Sequence, residues 1–261
     1  MSLLPPSTKV DLAGKILVVP VVSTANVSQL AVDLISATFS LERIATLDPS
    51  HCIPVVGARE DGLPGITTPL ECNVVFGKPG FNIVVTQQRS PVLVTQKQEF
   101  VEALFQFIQA SKFSAVLFLS GVDSINRNDS QMFTPTFQIR RPNTPSLEDS
   151  PLHLLQKLPI PVFRSSTFVI GGTGEDQSEM PFIPGGGLTR RILSSLPENW
   201  STPTGSLLQF VMEGDNRADA TLLASVVAKV TEIDSQISEW KQPSTWKVGL
   251  FGSPHEQDLY G

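Results

Sequence analysis

The stretch FVMEGDN, Phe210 to Asn216, sets two carboxylates, Glu213 and Asp215, where an apolar run stops. The carboxyl end of a strand is where α/β folds place ligands, and paired acids there can exchange a proton or hold Mg²⁺. The same residues can cap a following helix, with Asp215 or Asn216 accepting from its free N–H groups. Capping is the simpler reading. Two glycine clusters, GGTG at Gly171–Gly174 and GGG at Gly185–Gly187, can cradle an anion with backbone N–H groups. Neither has the spacing of a P-loop or of a dinucleotide fingerprint. Acids follow the first directly, in GGTGEDQSE, which is the wrong sign for a phosphate site. The first therefore reads as a loop and the second as a tight turn into a helix. Arg190 and Arg191, just beyond it, are the best support for an anion site there. The polar stretch Ile125 to Ser130 follows a buried run but carries no reactive constellation.

Nucleophile and metal chemistry find little to use. The cysteines are Cys52 and Cys72, the histidines His51, His153 and His255. No C-x-x-C pair exists, and a structural zinc site needs about four such ligands. Adjacent His51 and Cys52 need not face one another, and no serine sits in a G-x-S-x-G elbow. The expectation is no catalytic residue, no metal and no cofactor. The end of the chain is different. HEQDLYG contains Tyr260, the only tyrosine of 261 residues, between Leu259 and the terminal Gly261. A hydrophobic residue, an aromatic ring and a free carboxylate in series suit capture in a partner's pocket.

These groups must be positioned by a sizeable core, which 41% hydrophobic and 17% charged residues can supply. Gly14 to Val22 is a β-branched run without polar alternation, as in a strand covered on both faces. The stretch after it predicts a helix, started by Ser23 or Asn26, with Leu30, Leu34 and Ile35 on its apolar side. Phe81 to Gln88 predicts a strand that PVLV continues or pairs with. The next helix puts Phe100, Leu104, Phe107 and Ile108 on one stripe. Ser114 to Gly121 is another buried strand. This βαβ rhythm argues for a partly parallel sheet with helices on both faces. Prolines break the rhythm between Val122 and Pro184, which reads as an insertion with one short helix at PLHLLQKL. A helix from GGG, a strand ending at EGDN and a long helix running to the residues before Pro243 follow. After Gly252 the tail has no periodicity and is expected to be flexible.

A net charge of −6 argues against a nucleic-acid partner. Arg140–Arg141 and Arg190–Arg191 read as solvated surface doublets. No apolar run approaches the ~18 residues that cross a bilayer, so no membrane partner is expected. The start lacks the pattern of a secretory signal, and two lone cysteines fit a reducing compartment.

Four stretches, STANVSQLAVDLI, IPGGGLTRRIL, FVMEGDNRADA and WKQPSTWKVGLFGS, span residues 23 to 253. In these the chain resembles the proteasome assembly chaperone 2 family. The resemblance implies a three-layer α/β/α sandwich with a mixed, largely parallel sheet, of nucleoside phosphorylase-like topology without the catalytic residues. The residue pattern itself reads as a single domain over 1–252, with the insertion at about 122–184 and the tail at 253–261; the resemblance adds nothing for the proline-rich middle. The resemblance further implies a cytoplasmic and nuclear heterodimer with a proteasome assembly chaperone 1-like partner. That pair binds the outer face of the proteasome α-subunit ring, preventing off-pathway ring association and premature docking of the regulatory cap. In fungal relatives a C-terminal hydrophobic–Tyr–X motif enters a pocket between α subunits, and Leu259, Tyr260 and Gly261 match it. A chain built for a heterodimer is expected to expose an apolar patch when alone. The competing reading is a phosphorylase-like binder of nucleosides or anions that uses GGG and EGDN.

Overall fold

Doubly buried apolar runs become the centre of one mixed sheet in the computed structural model, which describes residues 3–4, 10–55, 57–58, 66–67, 73–142, 144–165 and 180–248. The strands are β1 (Leu3–Leu4), β2 (Ile16–Pro20), β3 (Glu42–Leu47), β4 (Gly57–Ala58), β5 (Ile66–Thr67), β6 (Asn73–Gly77), β7 (Ile83–Gln88), β8 (Ala115–Asp123), β9 (Thr136–Ile139) and β10 (Thr204–Val211). The helices are α1 (Val27–Phe39), α2 (Lys97–Ala110), α3 (Leu154–Lys157), α4 (Gly187–Ser194) and α5 (Arg217–Val230). Eight strands pair in the order β1-β3-β6-β7-β2-β8-β10-β9, while β4 and β5 form a separate ribbon. The four central strands, β7, β2, β8 and β10, run parallel. The flanking pairings are antiparallel.

Successive side chains of a strand point to opposite faces, and here both faces are covered. Leu17 and Val19 pack with Val116, Phe118 and Leu208 beneath α2 and α4. Ile16 and Val18 pack with Ala115, Leu117 and Leu207 beneath α1 and α5. The result is the expected α/β/α layering around a parallel centre. The predicted stripe Phe100, Leu104, Phe107 and Ile108 is the buried side of α2. Leu34 and Ile35 are buried on α1, with Leu30 partly buried beside them.

Four local expectations are corrected. Neither Ser23 nor Asn26 caps α1 with its side chain. The Ser23 hydroxyl instead donates to Val21 O (2.9 Å) and accepts from Gly121 N (2.7 Å). PVLV neither continues β7 nor pairs with it; Val92 bridges Cys52 instead. The long helix before Pro243 stops at Val230, because Glu232 takes a left-handed φ of 59° and Ile233 N closes back on Ala228 O at 2.9 Å. That is a helix stop usually marked by glycine, and here no glycine stands there. Finally, the proline-rich middle supplies β9, antiparallel to β10, and its Leu147, Leu152 and Leu155 are fully buried.

One polar tie fixes α1 to β7. Gln87 Nε2 donates to Gln29 O (2.9 Å) and to Asp33 Oδ1 (2.7 Å). Two Arg89 nitrogens reach the Asp33 carboxylate at 3.0 and 2.6 Å. Removing one partner of a half-buried ion pair strands the others. Asp33→Ala is expected to cost about 2 kcal/mol in urea unfolding, with Asp33→Asn intermediate.

Candidate functional site

β2, β8 and β10 deliver their carboxyl ends to one edge, and of the sequence candidates the GGG turn and Glu213 meet there. At that edge the chain closes on itself. Val21 N donates to Leu119 O (2.8 Å) and Asp123 N to Pro184 O (3.1 Å). The Thr24–Asn26 turn lies over this junction, with Ala25 and Asn26 at φ 57° and 50°, unusual for residues bearing a Cβ. A Cβ on Gly121 would stand 2.4 Å from Thr24 O, and one on Gly185 would stand 2.0 Å from Thr24 Oγ1. The first two glycines of GGG are thus packing residues. Gly185 takes φ +71° against Thr24, and a Cβ on Gly186 would stand 2.4 Å from Ile183 Cγ2. Gly187 has open space. Behind the turn, Thr189 Oγ1 donates to Ser120 Oγ at 2.7 Å, both side chains buried. Gly187→Ala is expected to stabilise by up to about 1 kcal/mol, since it replaces a helical glycine. A thermal melt checks this.

The two acids of EGDN serve separate partners. Glu213 Oε1 accepts from Ala25 N at 3.2 Å, so a carboxylate of the chain itself meets the backbone ahead of α1. Asp215 Oδ1 accepts from Arg217 N (3.2 Å) at the start of α5, and its carboxylate pairs with the Arg217 guanidinium. Hydrogen bonds from Arg217 hold that carboxyl below its usual range. Asn216 turns back, donating to Met212 O (2.9 Å) and Gly214 O (3.0 Å). The capping role therefore falls to Asp215, and Glu213 ties α5's approach to α1. Arg190 is engaged with Met180 O and Pro181 O, both at 3.2 Å. Arg191 is exposed on α4.

His51 and Cys52 face different neighbours. His51 Nδ1 lies 3.2 Å from Gln96 Oε1, while the buried Cys52 thiol accepts from Asn73 Nδ2 at 3.3 Å. His153 Nδ1 lies 3.3 Å from Ser150 O. Among the described residues, no three His, Cys, Asp or Glu side chains gather as metal ligands would. The polar loop after β8 bonds internally: Asp123 accepts from Ile125 N (2.9 Å), and Asn128 and Gln131 form a reciprocal cap. Gly171–Gly174, Cys72, His255 and the tail residues Leu259, Tyr260 and Gly261 lie outside the described residues.

Sequence reasoning missed where the exposed apolar groups gather. Ile125, Met132, Phe133, Phe182 and Met212 are all more than half exposed, and each belongs to a segment meeting this edge. Their residue types suggest core positions, so only the structure separates them from it.

A family model described as the PAC2 family matches residues 17–234. The human protein named proteasome assembly chaperone 2 is 32% identical over 254 residues, covering 93% of this chain and 94% of that one. The Xenopus tropicalis protein of the same name is 30% identical over 248 residues, covering 91% of each. Among solved structures, Pyrococcus furiosus PbaA, described as an archaeal homolog of proteasome-assembly chaperone, superposes with a TM-score of 0.60 at 15% identity, covering 86% of this chain and 84% of that one. PbaB of the same organism, described as an archaeal proteasome activator, gives 0.59 at 14% identity and covers 89% of each chain. At such identities these two structures speak for the fold.

Proposed function

Because the chain belongs to the PAC2 family, we propose that it is a proteasome assembly chaperone acting without catalysis. It pairs with a proteasome assembly chaperone 1-like chain. The heterodimer sits on the outer face of the α-subunit ring, in cytoplasm and nucleus, where it blocks off-pathway ring association and premature docking of the regulatory cap. Leu259, Tyr260 and Gly261 insert between neighbouring α subunits. The observation that carries the reading is the match, at 32% identity over 93% of the chain, to a human protein that bears the chaperone's name.

Two features support it. The crevice where an enzyme of this layering would hold a ligand is occupied by Thr24 and by Glu213, which leaves the fold with surfaces to offer. The tail, with its single tyrosine, supplies an anchor that a partner can bury. A second tail from the partner chaperone would raise the effective concentration of each, so weak contacts suffice.

The test is co-expression of the tagged chain with its partner chaperone, followed by identification of what co-purifies. Unfinished α rings are expected with it, at stoichiometric levels. Recovery of the pair without α subunits would overturn the reading. So would stabilisation of the chain by several degrees with inosine and phosphate, which would revive nucleoside binding.

A further inference from the structure

The doublet Arg140–Arg141 reads in the sequence as a solvated pair, but the structure ties both guanidiniums to the chain. Arg140 Nη2 donates to Pro145 O (2.7 Å) and to Thr144 Oγ1 (3.2 Å), and Arg140 Nε reaches Thr204 O, at the start of β10, at 3.4 Å. Arg141 Nη1 donates to Leu196 O. Among the described residues no carboxylate pairs with Arg140. Burial without an opposing charge holds its pKa below the usual arginine value. A partly buried cation served by neutral oxygens alone lacks the partner such a charge ordinarily has.

The opposing charge has a place to form. Thr144 Oγ1 accepts from Arg140 and donates to Arg141 O at 2.9 Å. Pro145 follows it. A residue before proline is biased toward extended backbone, and the proline has no N–H to draw the segment into a ladder. Such a segment can lie along an enzyme's cleft, and Ser-Pro or Thr-Pro is the step that proline-directed protein kinases select. The chain has seven such steps, and five of them are described. Ser90, Ser150 and Thr202 are buried. Thr134 and Thr144 are partly exposed. The Thr134 hydroxyl is taken up by the backbone of Thr136, whereas that of Thr144 already touches a guanidinium.

We propose that Thr144 is a phosphorylation site and that Arg140 receives the phosphate. Thr144 Oγ1 forms a bond to the γ-phosphorus of ATP, ADP leaves, and the hydroxyl proton passes to the base of the kinase. The hydrogen bond to Arg141 O is given up with that proton, while Arg140 keeps its donors. The phosphate carries nearly two negative charges and three acceptor oxygens, beside a planar set of donors whose geometry suits it. The same guanidinium reaches Thr204 O, so the phosphate fastens this part of the proline-rich middle to the start of β10. Leu147, three residues on, is fully buried. The loop is thus pinned by packing on one side of Thr144 and by the new ion pair on the other. Glu148 and Asp149 are exposed, where water and salt screen their repulsion.

In the experiment the full chain is incubated with ATP and a purified proline-directed Ser/Thr kinase, and the phosphate is located by mass spectrometry. Thr144 is expected to be labelled first, and the buried Ser90, Ser150 and Thr202 not at all. Each protein is then melted before and after labelling. Wild type is expected to gain about 2–4 °C on phosphorylation, the effect of one charge-assisted contact in a chain of this size. Arg140→Gln is expected to be labelled but to gain nothing, and melting the same variant before and after removes whatever the substitution itself costs. Arg140→Lys should keep part of the gain. Phosphate on Thr134 with Thr144 untouched would overturn the site, as would labelling of no residue. Labelling of Thr144 with no rise in melting temperature would make it an incidental surface modification and overturn the proposal. An equal rise in Arg140→Gln would do the same, because the phosphate would then be held by another group.

Discussion

Tyr260→Ala should weaken binding of the tail to α subunits about 30- to 1000-fold, corresponding to ~2–4 kcal/mol for a buried aromatic anchor. In the proposed anchoring the ring supplies rigid apolar area and a hydroxyl, with Leu259 filling a neighbouring pocket. A synthetic peptide of the last residues, titrated against isolated α subunits, reads this contact alone. In the proposed heterodimer the loss should be smaller if the partner also brings a tail, because the second contact would then be intramolecular. The melting temperature and the pairing of the two chaperones should not change. A lower melting temperature in Tyr260→Ala would mean that the tyrosine packs on its own chain, and the anchoring account would fail. Unchanged α-subunit affinity would place the binding in the body instead.

The largest stability effect is expected from the smallest substitution. Gly121→Ala adds one methyl inside β8, where its Cβ would stand 2.4 Å from Thr24 O and 3.1 Å from Val27 Cγ1. The nearer atom is backbone, in a turn already bent to left-handed φ at Ala25 and Asn26, so it cannot rotate away as a side chain would. The same turn is held by Gly121 N donating to the Ser23 hydroxyl at 2.7 Å. Overpacking of this kind costs on the order of 3 kcal/mol, which lowers the melting temperature by roughly 6–12 °C in a domain of this size. Urea unfolding would show the shift in midpoint with little change in slope. A melting temperature within a degree of wild type would show that the turn can move, and that the closed crevice is adaptable.

The elements that could be seen in the sequence are those whose pattern is set locally. β2 and β8 are continuous apolar runs because both faces are buried, and α2 carries its stripe at helical spacing. β9 was hidden because its partner, β10, lies more than sixty residues on and because Pro135 and Pro142 flank it. The end of α5 was hidden because the left-handed position is filled by Glu232 and not by glycine. At the site, GGG was legible as a turn, but its cause was not: Thr24 approaches from a remote part of the chain. Glu213 likewise meets Ala25, 188 residues away. The tail stands out through composition alone, as the one place that uses tyrosine, and it lies outside the described residues. Phe133 and Met132 look like core residues by type, and only the inward hydrogen bonding of Gln131 and Arg127 tells them apart.

β9 has one more consequence. It covers the free side of β10, and on its own outer side Gln138 N donates to Pro161 O (2.9 Å) and accepts, through its carbonyl, from Phe163 N (2.8 Å). The backbone groups that an open edge would offer to another chain are thus partly spoken for, and the strand is short. A neighbour arriving at this flank therefore finds few free backbone groups with which to continue the sheet as an added strand. Recognition there would lean on side-chain shape and charge, which discriminate among chains sharing this fold better than a bare strand edge does.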